Sequence, residues 1–369
     1  MNLKEKFAWL PGERLEVGMY DEAIHKGKAF GEWLEGLKHT HQGSPYAGMT
    51  QIEMIKSKIL AKSSGKLVVP TAFDELMAHF NLNIGGAASD SLGKFFAYSD
   101  SSVLLGEYIS QVVAASLIRT SLASELTALQ ERISEVDFRR TYFEDAGEDL
   151  ELAEVSKDQE LPDIWINIGD QSMRLIKYGR YLKANFEDVD RVSFNALNVV
   201  LNRIGMQIGV AETSEGIRVA VDGDGNSNAA TTFNPTTTNT LNTTEVIKLA
   251  TELDTPYQTT HLIAKKDQMQ AYLAAAAGVS SVNGPNLLGA INVDSPKWVD
   301  WDKGNTGLES DYILIMDSRY CLGNVSGQAV FVESERLVKK QLKGTGIWYR
   351  SAFYKIDNNA CKVMDVTFN

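Results

Sequence analysis

Residues 185–212, NFEDVDRVSFNALNVVLNRIGMQIGVAE, decide the fold. Phe186, Val189, Ser193, Leu197, Val200, Ile204, Ile208 and Ala211 recur at steps of three and four, which places them on one face of a single helix. Asn185 is a good N-cap, and Glu187 and Asp188 fall in the first turn, where the helix dipole favours negative charge. No proline interrupts the pattern. At 1.5 Å per residue the helix would be roughly 40 Å long, against an average of about 11 to 12 residues for globular helices. Such a helix can act as a spine for the rest of the chain.

Immediately upstream, residues 137–183 predict a two-stranded excursion. Its outer half carries Glu144, Asp145, Glu148, Asp149, Glu151, Glu154, Asp158 and Glu160 against Lys157 alone. The returning half alternates, with Ile164, Ile166 and Ile168 on one side and Trp165 between them, then turns basic at Arg174, Lys177, Arg180 and Lys183. Two strands with an acidic tip and few apolar residues do not sustain themselves, because an isolated hairpin is marginal in water. The excursion is therefore either a solvated acidic surface hairpin or a loop held by a second surface.

Downstream, GIRVAVDGDGNSN predicts a strand ending in a tight turn. Its Asp222, Asp224 and Asn226 imitate a calcium loop, but Ser227 and Phe233 stand where that loop needs Gly and Glu. The low-charge TTFNPTTTNTLNTT at 231–244 is expected to be an exposed loop or a linker into the next lobe. An α/β lobe follows. Asn242, with Glu245 three residues on, caps a helix to about Leu253; strands are expected at 259–264, 288–293 and 312–316, and a helix at 268–277. Trp298 and Trp301 are expected to pack within the lobe or to make an inter-lobe contact, with a sugar-binding platform as the alternative. From Val330 the pattern predicts a strand, an amphipathic helix at 334–342, a KGTG turn, and strands at 347–356 and 361–368.

At the N-terminal side, residues 1–66 have the texture of an arm. Helical pieces are expected at 21–38 and 50–62, joined by GSPYAG and KSSGK. Phe7, Trp9, Phe30 and Trp33 are large apolar side chains in a segment too short to bury them alone. They pack either on a neighbouring molecule or back on their own chain. Residues 67–96 contain a short strand, a helix started by Pro70 and Thr71, and a glycine-rich turn; a helix at 102–117 buries Leu104, Leu105, Tyr108, Ile109, Val112 and Val113.

Composition narrows the function. The 369 residues carry a formal charge of −12, with 44% hydrophobic residues, enough for a real core. Acidity argues against general nucleic-acid binding, which needs clustered cations. Cys321 and Cys361 lack CxxC or Cys/His spacing, so they are expected to be buried or incidental thiols of a protein folded in a reducing cytoplasm. His79, without a second ligand at suitable spacing, and the other four scattered histidines suggest no metal or catalytic centre. The phosphate-loop, dinucleotide and nucleophile-elbow fingerprints are absent. No signal-peptide core and no span of about 20 apolar residues is present. We therefore expect no enzyme, no cofactor and no metal.

The sequence IKYGRYLKANFEDVDRVSFNALNVVLNRIGMQIGVAE followed by RVAVDGDGN, the unit HLIAKKDQMQAYLAA and the late GIWYRSAFYKIDNNACKVMDV resemble the major capsid proteins of tailed bacteriophages, whose fold is shared with encapsulin shells. The resemblance covers roughly residues 100–367 and lies in order and texture. It implies an α+β chain with an N-terminal arm (1–100), a peripheral domain (101–136, continued by the spine at 185–221 and return strands at 330–369), an extended loop (137–184) and an axial domain (222–329). It further implies a shell subunit that forms hexamers and pentamers around double-stranded DNA in a virion, with portal, scaffold or decoration proteins as further partners. Subunit contacts would then fall on Trp9, Trp33, Glu148, Asp149, Glu151, Lys157, Trp165, Arg174, Lys177 and Arg180. Some relatives crosslink Lys to Asn between subunits, for which Lys157 with Asn358 or Asn359 are the candidates. An encapsulin-type compartment and a soluble α/β binding protein are the alternatives.

Overall fold

The computed structural model describes residues 7–8, 10, 15, 18–19, 22–23, 26, 28–38, 48–50, 71–82, 90–91, 94, 99–133, 135, 137–145, 164–185, 191–237, 240–280, 295–298, 311–327, 330–337 and 342–367. In chain order the helices are α1 (Phe30–Lys38), α2 (Ala72–His79), α3 (Ser99–Thr120), α4 (Ala123–Leu126), α5 (Phe194–Asp222), α6 (Thr243–Thr251) and α7 (Lys266–Ser280). The strands are β1 (Thr127–Ile133), β2 (Asp137–Asp145), β3 (Ile164–Arg174), β4 (Ile176–Asn185), β5 (Thr231–Phe233), β6 (His261–Ala264) and β7 (Ser295–Trp298). They continue with β8 (Tyr312–Met316), β9 (Leu322–Gly327), β10 (Phe331–Leu337), β11 (Leu342–Lys355) and β12 (Cys361–Asp365). The chain is α+β, and its contacts divide it into two units: Met1–Ser121, Lys177–Val210 and Gly327–Arg350 form the first, and Leu122–Ile176, Ala211–Ser326 and Ser351–Asn369 the second.

The long helix is present but displaced from its expected bounds. Asn185, expected as the N-cap, ends strand β4 instead. Ser193 starts the helix: its Oγ accepts from the N–H of Ala196 at 3.3 Å, and its carbonyl accepts from Leu197 at 3.1 Å. The helix then runs 29 residues, through the RVAV text expected as a strand. Ile217, Val219, Ala220 and Val221 are buried there, and that burial outweighs the β preference of Val and Ile. Gly223 terminates the helix at φ +84, its N–H bonding the carbonyl of Val219 at 3.0 Å, the left-handed C-terminal cap that glycine adopts most readily.

In the first unit, α1, α2, α3 and the N-terminal part of α5 share one apolar core with β4, β10 and the start of β11. The arm reading changes here. Phe7, Leu10, Leu15, Phe30, Trp33 and Leu34 are buried in this core, so the described arm residues fold back on their own chain. Burying side chains of this size stabilises by about 1.5–3 kcal/mol each, and α2 and α3 offer the surface. Two carboxylates fasten the helices. Glu35 of α1, 1% exposed, accepts from the first N–H of α2, Ala72, at 2.5 Å, and Lys38 pairs with Glu75. At α2 the expected helix start at Pro70 and Thr71 carries a full capping box, with Asp74 N–H donating to Thr71 Oγ1 at 3.3 Å and Thr71 N–H donating to Asp74 Oδ2 at 2.8 Å. Thr71→Ala is expected to lower the unfolding free energy by about 1 kcal/mol while Thr71→Ser leaves it nearly unchanged. Urea titration of both variants checks this.

The expected helix at 334–342 is not formed. Phe331–Leu337 is strand β10, antiparallel to β11 with Leu337 opposite Leu342, so strand pairing overrides a locally helical charge pattern. The KGTG residues lie inside β11 rather than in a turn.

The second unit holds a sheet in the order β5-β12-β8-β6-β7. Strands β6 and β8 read HLIA and YILIM, and their core residues Leu262, Ile263, Ala264, Ile313, Leu314, Ile315 and Met316 are all buried, as continuous apolar strands require. Asn242 caps α6 as expected, accepting from Thr244 at 2.8 Å and Glu245 at 3.3 Å. Glu245 does not complete a capping box. Buried, it accepts from the N–H groups of Thr236 and Thr237 at 2.8 and 3.2 Å and so ties the Thr/Asn loop to the helix. The 222–228 turn docks through Asp224, which accepts from Lys355 N–H at 3.1 Å, and Asn228, whose carbonyl accepts from Lys355 Nζ at 2.7 Å. Both late strands were expected to return to the peripheral domain; β12 instead lies between β5 and β8 in this sheet. The strand expected at 288–293 lies outside the described residues, where β7 follows at Ser295–Trp298.

Candidate subunit interface

The excursion of 137–183 is a separate two-stranded sheet, β2 against β3, with no third strand among the described residues. Asp137 stands opposite Arg174 and Glu144 opposite Trp165, with an irregularity between Arg139 and Thr141. Of the expected contact residues, Trp9, Glu148, Asp149, Glu151 and Lys157 lie outside the described residues. Trp165 sits in β3, Arg174 is exposed at its end, and Lys177 and Arg180 are exposed on β4. Trp33 is corrected to a core residue: it is 4% exposed and stacks on Phe30 with ring centroids 5.7 Å apart. The reason is burial by its own chain, since α2 and α3 provide the apolar partner surface that the arm alone lacks.

Strand β4 pairs with β11 in the first unit, and β11 pairs with β10. Alternation assigns the two faces. Tyr178, Leu182, Val332, Tyr349 and the buried Val330 and Ile347 face the core. Lys177, Tyr181, Lys183, Phe331, Trp348 and Arg350 therefore take the opposite, outward face. Lys177 Nζ lies 4.1 Å above the Trp348 ring, Arg350 lies 5.9 Å above Phe331, Lys183 Nζ lies 5.3 Å above Tyr181, and Phe331 and Trp348 stack at 15°. Sequence reading picked out Lys177 and Arg180 but missed Tyr181, Phe331, Trp348 and Arg350. The available signal was GTG before IWYR, since glycine inside a strand marks a close approach to the backbone. A second exposed apolar set sits on α5, where Val199 is 70% and Met206 51% exposed.

Buried ionisable groups lie elsewhere. Glu107 of α3, 2% exposed, accepts from Gln111 at 2.9 Å, and burial raises its pKa to about 7. It borders a cavity of about 50 Å³ with Lys28, Ser110, Phe331 and Glu333, far below the roughly 300 Å³ of small-molecule sites. Cys321 and Cys361 are buried and free. A hydrogen bond between the two thiols, ahead of the nearby Lys355 ammonium, lowers the pKa of Cys361. Asn358, one of the two candidate crosslink partners of Lys157, accepts from Lys355 Nζ at 3.0 Å within its own chain. Among the described residues no His, Cys, Asp or Glu cluster could hold a metal ion, and no helix is long and apolar enough to cross a membrane.

No known sequence family matches this chain, and no curated protein matches it. Among solved structures it is similar to a virus-like particle from Pyrococcus furiosus, with 11% identity and a TM-score of 0.48 over 70% of this chain and 98% of that one. A phage-related protein from Bordetella bronchiseptica is similar at 12% identity and TM-score 0.49, over 70% of this chain and 96% of that one. The capsid of the Myoviridae phage XM1 is similar at 10% identity and TM-score 0.43, over 66% and 90% of the two chains.

Proposed function

We propose that this chain is a self-assembling shell subunit, the major capsid protein of a tailed-phage type of particle, which closes into an icosahedral container for DNA through hexamers and pentamers. The observation that carries the reading is the β2–β3 sheet, which pairs with no third strand among the described residues and whose connecting segment is strongly acidic. A two-stranded sheet is marginal on its own and gains stability when a second surface covers it. The order of the elements agrees, since the excursion precedes the long helix, an α/β lobe follows, and late strands return to β4 and β9.

The mechanism is geometric rather than chemical. A loop of one copy meeting a different patch on the next makes a heterologous contact, and such contacts close into rings and shells when their rotation closes. Opposite charges across the contact fix register and partner choice more than they add affinity. Arg174, Lys177 and Arg180 supply cations, and Glu148, Asp149 and Glu151 the anions. The net charge of −12 keeps the wall from clamping packaged DNA.

Purified full-length protein is expected to form closed particles or sheets of six-membered rings, seen by negative-stain electron microscopy and as a high-mass peak in size-exclusion chromatography with light scattering. A monomer unchanged by salt and by concentration would overturn the reading.

A further inference from the structure

Two thiols and a buried ammonium meet inside the second unit. Strand β12 begins at Cys361, opposite Met316 at the end of β8, and the turn that follows β8 brings Cys321 back beside it. Hydrogen bonds pin the backbone on both sides. Asp317 N–H donates to the Ala360 carbonyl at 2.8 Å, Cys321 N–H to the Asp317 carbonyl at 3.0 Å, and Ile356 N–H to the Cys321 carbonyl at 2.9 Å. Both cysteines are 0% exposed, and their thiols hydrogen-bond to each other. A buried cysteine alone behaves as a small apolar residue. Two in contact, beside a cation, can give up electrons as a pair.

Lys355 supplies the cation. It is 1% exposed, and its Nζ donates to the Asn228 carbonyl at 2.7 Å, to Asn358 Oδ1 at 3.0 Å and to the Cys361 sulfur. Among the described residues no carboxylate stands within ion-pair distance of it. An ammonium taken out of water is costly unless an anion accompanies it, and the Cys361 thiolate is the anion within reach. Asp357 opposes that charge, while its own carboxylate accepts from the Tyr257 hydroxyl and from Asn359 N–H at 2.9 Å. As a thiol, Cys361 donates to the Ala220 carbonyl at 3.5 Å; as a thiolate it accepts from Cys321, whose own pKa the same contact raises. The pair thus divides into one nucleophile and one protonated partner. Cover over the nucleophile is thin. Its sulfur lies 4.0 Å from the carbonyl of Asn358, and Asn358 and Asn359 are both exposed.

We propose that Cys321 and Cys361 form an intrachain disulfide when the protein meets hydrogen peroxide, with Cys361 as the attacking sulfur, Cys321 as the resolving one and Lys355 as the residue that holds the thiolate in place. The Cys361 thiolate attacks one peroxide oxygen and the O–O bond breaks. The hydroxide that leaves takes up the proton Cys361 released, giving water and a sulfenic acid. The Cys321 sulfur then attacks the Cys361 sulfur, the S–O bond breaks, and the departing oxygen leaves as a second water with the Cys321 proton. Two electrons pass from sulfur to oxygen, so two thiols and one peroxide become one disulfide and two waters. Hydrogen peroxide is close to water in size, and local opening of the 357–360 turn admits it. The bond closes a loop through β9, β10 and β11, which restricts the unfolded chain. The site stands independently of the shell-subunit reading, and its timing rests on that reading: a shell subunit made in a reducing cytoplasm keeps both thiols and gains the bond after release.

The test treats full-length protein, freed of reductant, with an equivalent of hydrogen peroxide, then alkylates it under denaturing conditions and digests it without reductant. A peptide pair joined through Cys321 and Cys361 is expected, with loss of both thiols, a thermal midpoint raised by about 5 °C and full reversal by dithiothreitol. Single variants separate the roles. Cys321→Ser should accumulate a sulfenic acid on Cys361 that dimedone traps, and Cys361→Ser should trap roughly ten-fold less on Cys321. Lys355→Met, with unchanged circular dichroism, should move the pH midpoint of the peroxide reaction upward by about one pH unit, whereas a role in packing alone leaves it in place. Should Lys355→Met fail to fold, the asymmetry between the two cysteine variants decides. Thiols that survive excess peroxide in the folded protein and oxidise only after denaturation would overturn the proposal, as would disulfides between chains or equal trapping at both cysteines. None of these readouts measures particle formation, so the shell reading stands or falls separately.

Discussion

Gly205→Ala is expected to lower the unfolding free energy by about 2 kcal/mol, although alanine is the better helix former by about 1 kcal/mol. Gly205 lies where α5 crosses α3. A Cβ there would stand 2.5 Å from the carbonyl oxygen of Val113 and 2.7 Å from Ser116 Cβ. A backbone carbonyl inside a helix cannot rotate away, so the two helices must separate, and with them Leu201, Ile204 and Val113 lose contact in the core. Gly209, one turn on, meets its nearest neighbours at 3.0–3.1 Å, a contact that a few tenths of an ångström relieves. Gly209→Ala should therefore cost clearly less. Urea titrations with unchanged m-values decide it, and an equal effect at both positions, or stabilisation at Gly205, would refute the packing argument.

Glu107→Gln is expected to stabilise the protein at pH 8 by up to about 3 kcal/mol and to leave it nearly unchanged at pH 4.5. The sign follows from proton binding. Burial raises the folded-state pKa of Glu107 from 4.5 to about 7, with hydrogen bonds from Gln111 and the Gly31 N–H only partly offsetting it. Below pH 4.5 the carboxyl is protonated in both states and contributes no difference. Between 4.5 and 7 the unfolded chain releases the proton while the folded chain keeps it, so stability falls as pH rises. Above 7 the penalty is complete and constant. The facing groups are Gln111 and Ser110 on α3, Gly31 on α1, Lys28 ahead of it, and Glu333 on β10. Gln keeps the size and the acceptor for Gly31 but cannot ionise. Thermal unfolding of both proteins from pH 4.5 to 8 measures the difference, and parallel curves would show that Glu107 does not set the slope.

These two results bear on different parts of what the sequence showed. Helix caps at Thr71 and Asn242, the apolar strands HLIA and YILIM and the buried thiols were legible, because each depends on residues a few positions apart or on composition alone. The paired excursion was legible too, from its alternation and its charge. The 334–337 strand was not, since SERLVKKQL has a helical charge pattern and only pairing with β11 makes it a strand. Nor was the fate of Trp33, whose burial is supplied by helices 40 to 80 residues away in sequence.

The same division separates the two candidate surfaces. By itself the sequence determined that a long helix follows a charged excursion, that acidic and basic residues segregate along that excursion, and that an α/β segment comes after. Periodicity, capping and charge runs act over a few residues and survive any tertiary arrangement. Only the tertiary structure decided that Ser193 and Gly223 bound the helix, that Glu107 is buried beside Gly31, and that Tyr181 lies over Gly344 and Trp348 over Gly346. Burial and close approach depend on which distant segments meet, and a carboxylate or a glycine looks the same in sequence whether water or a ring lies above it.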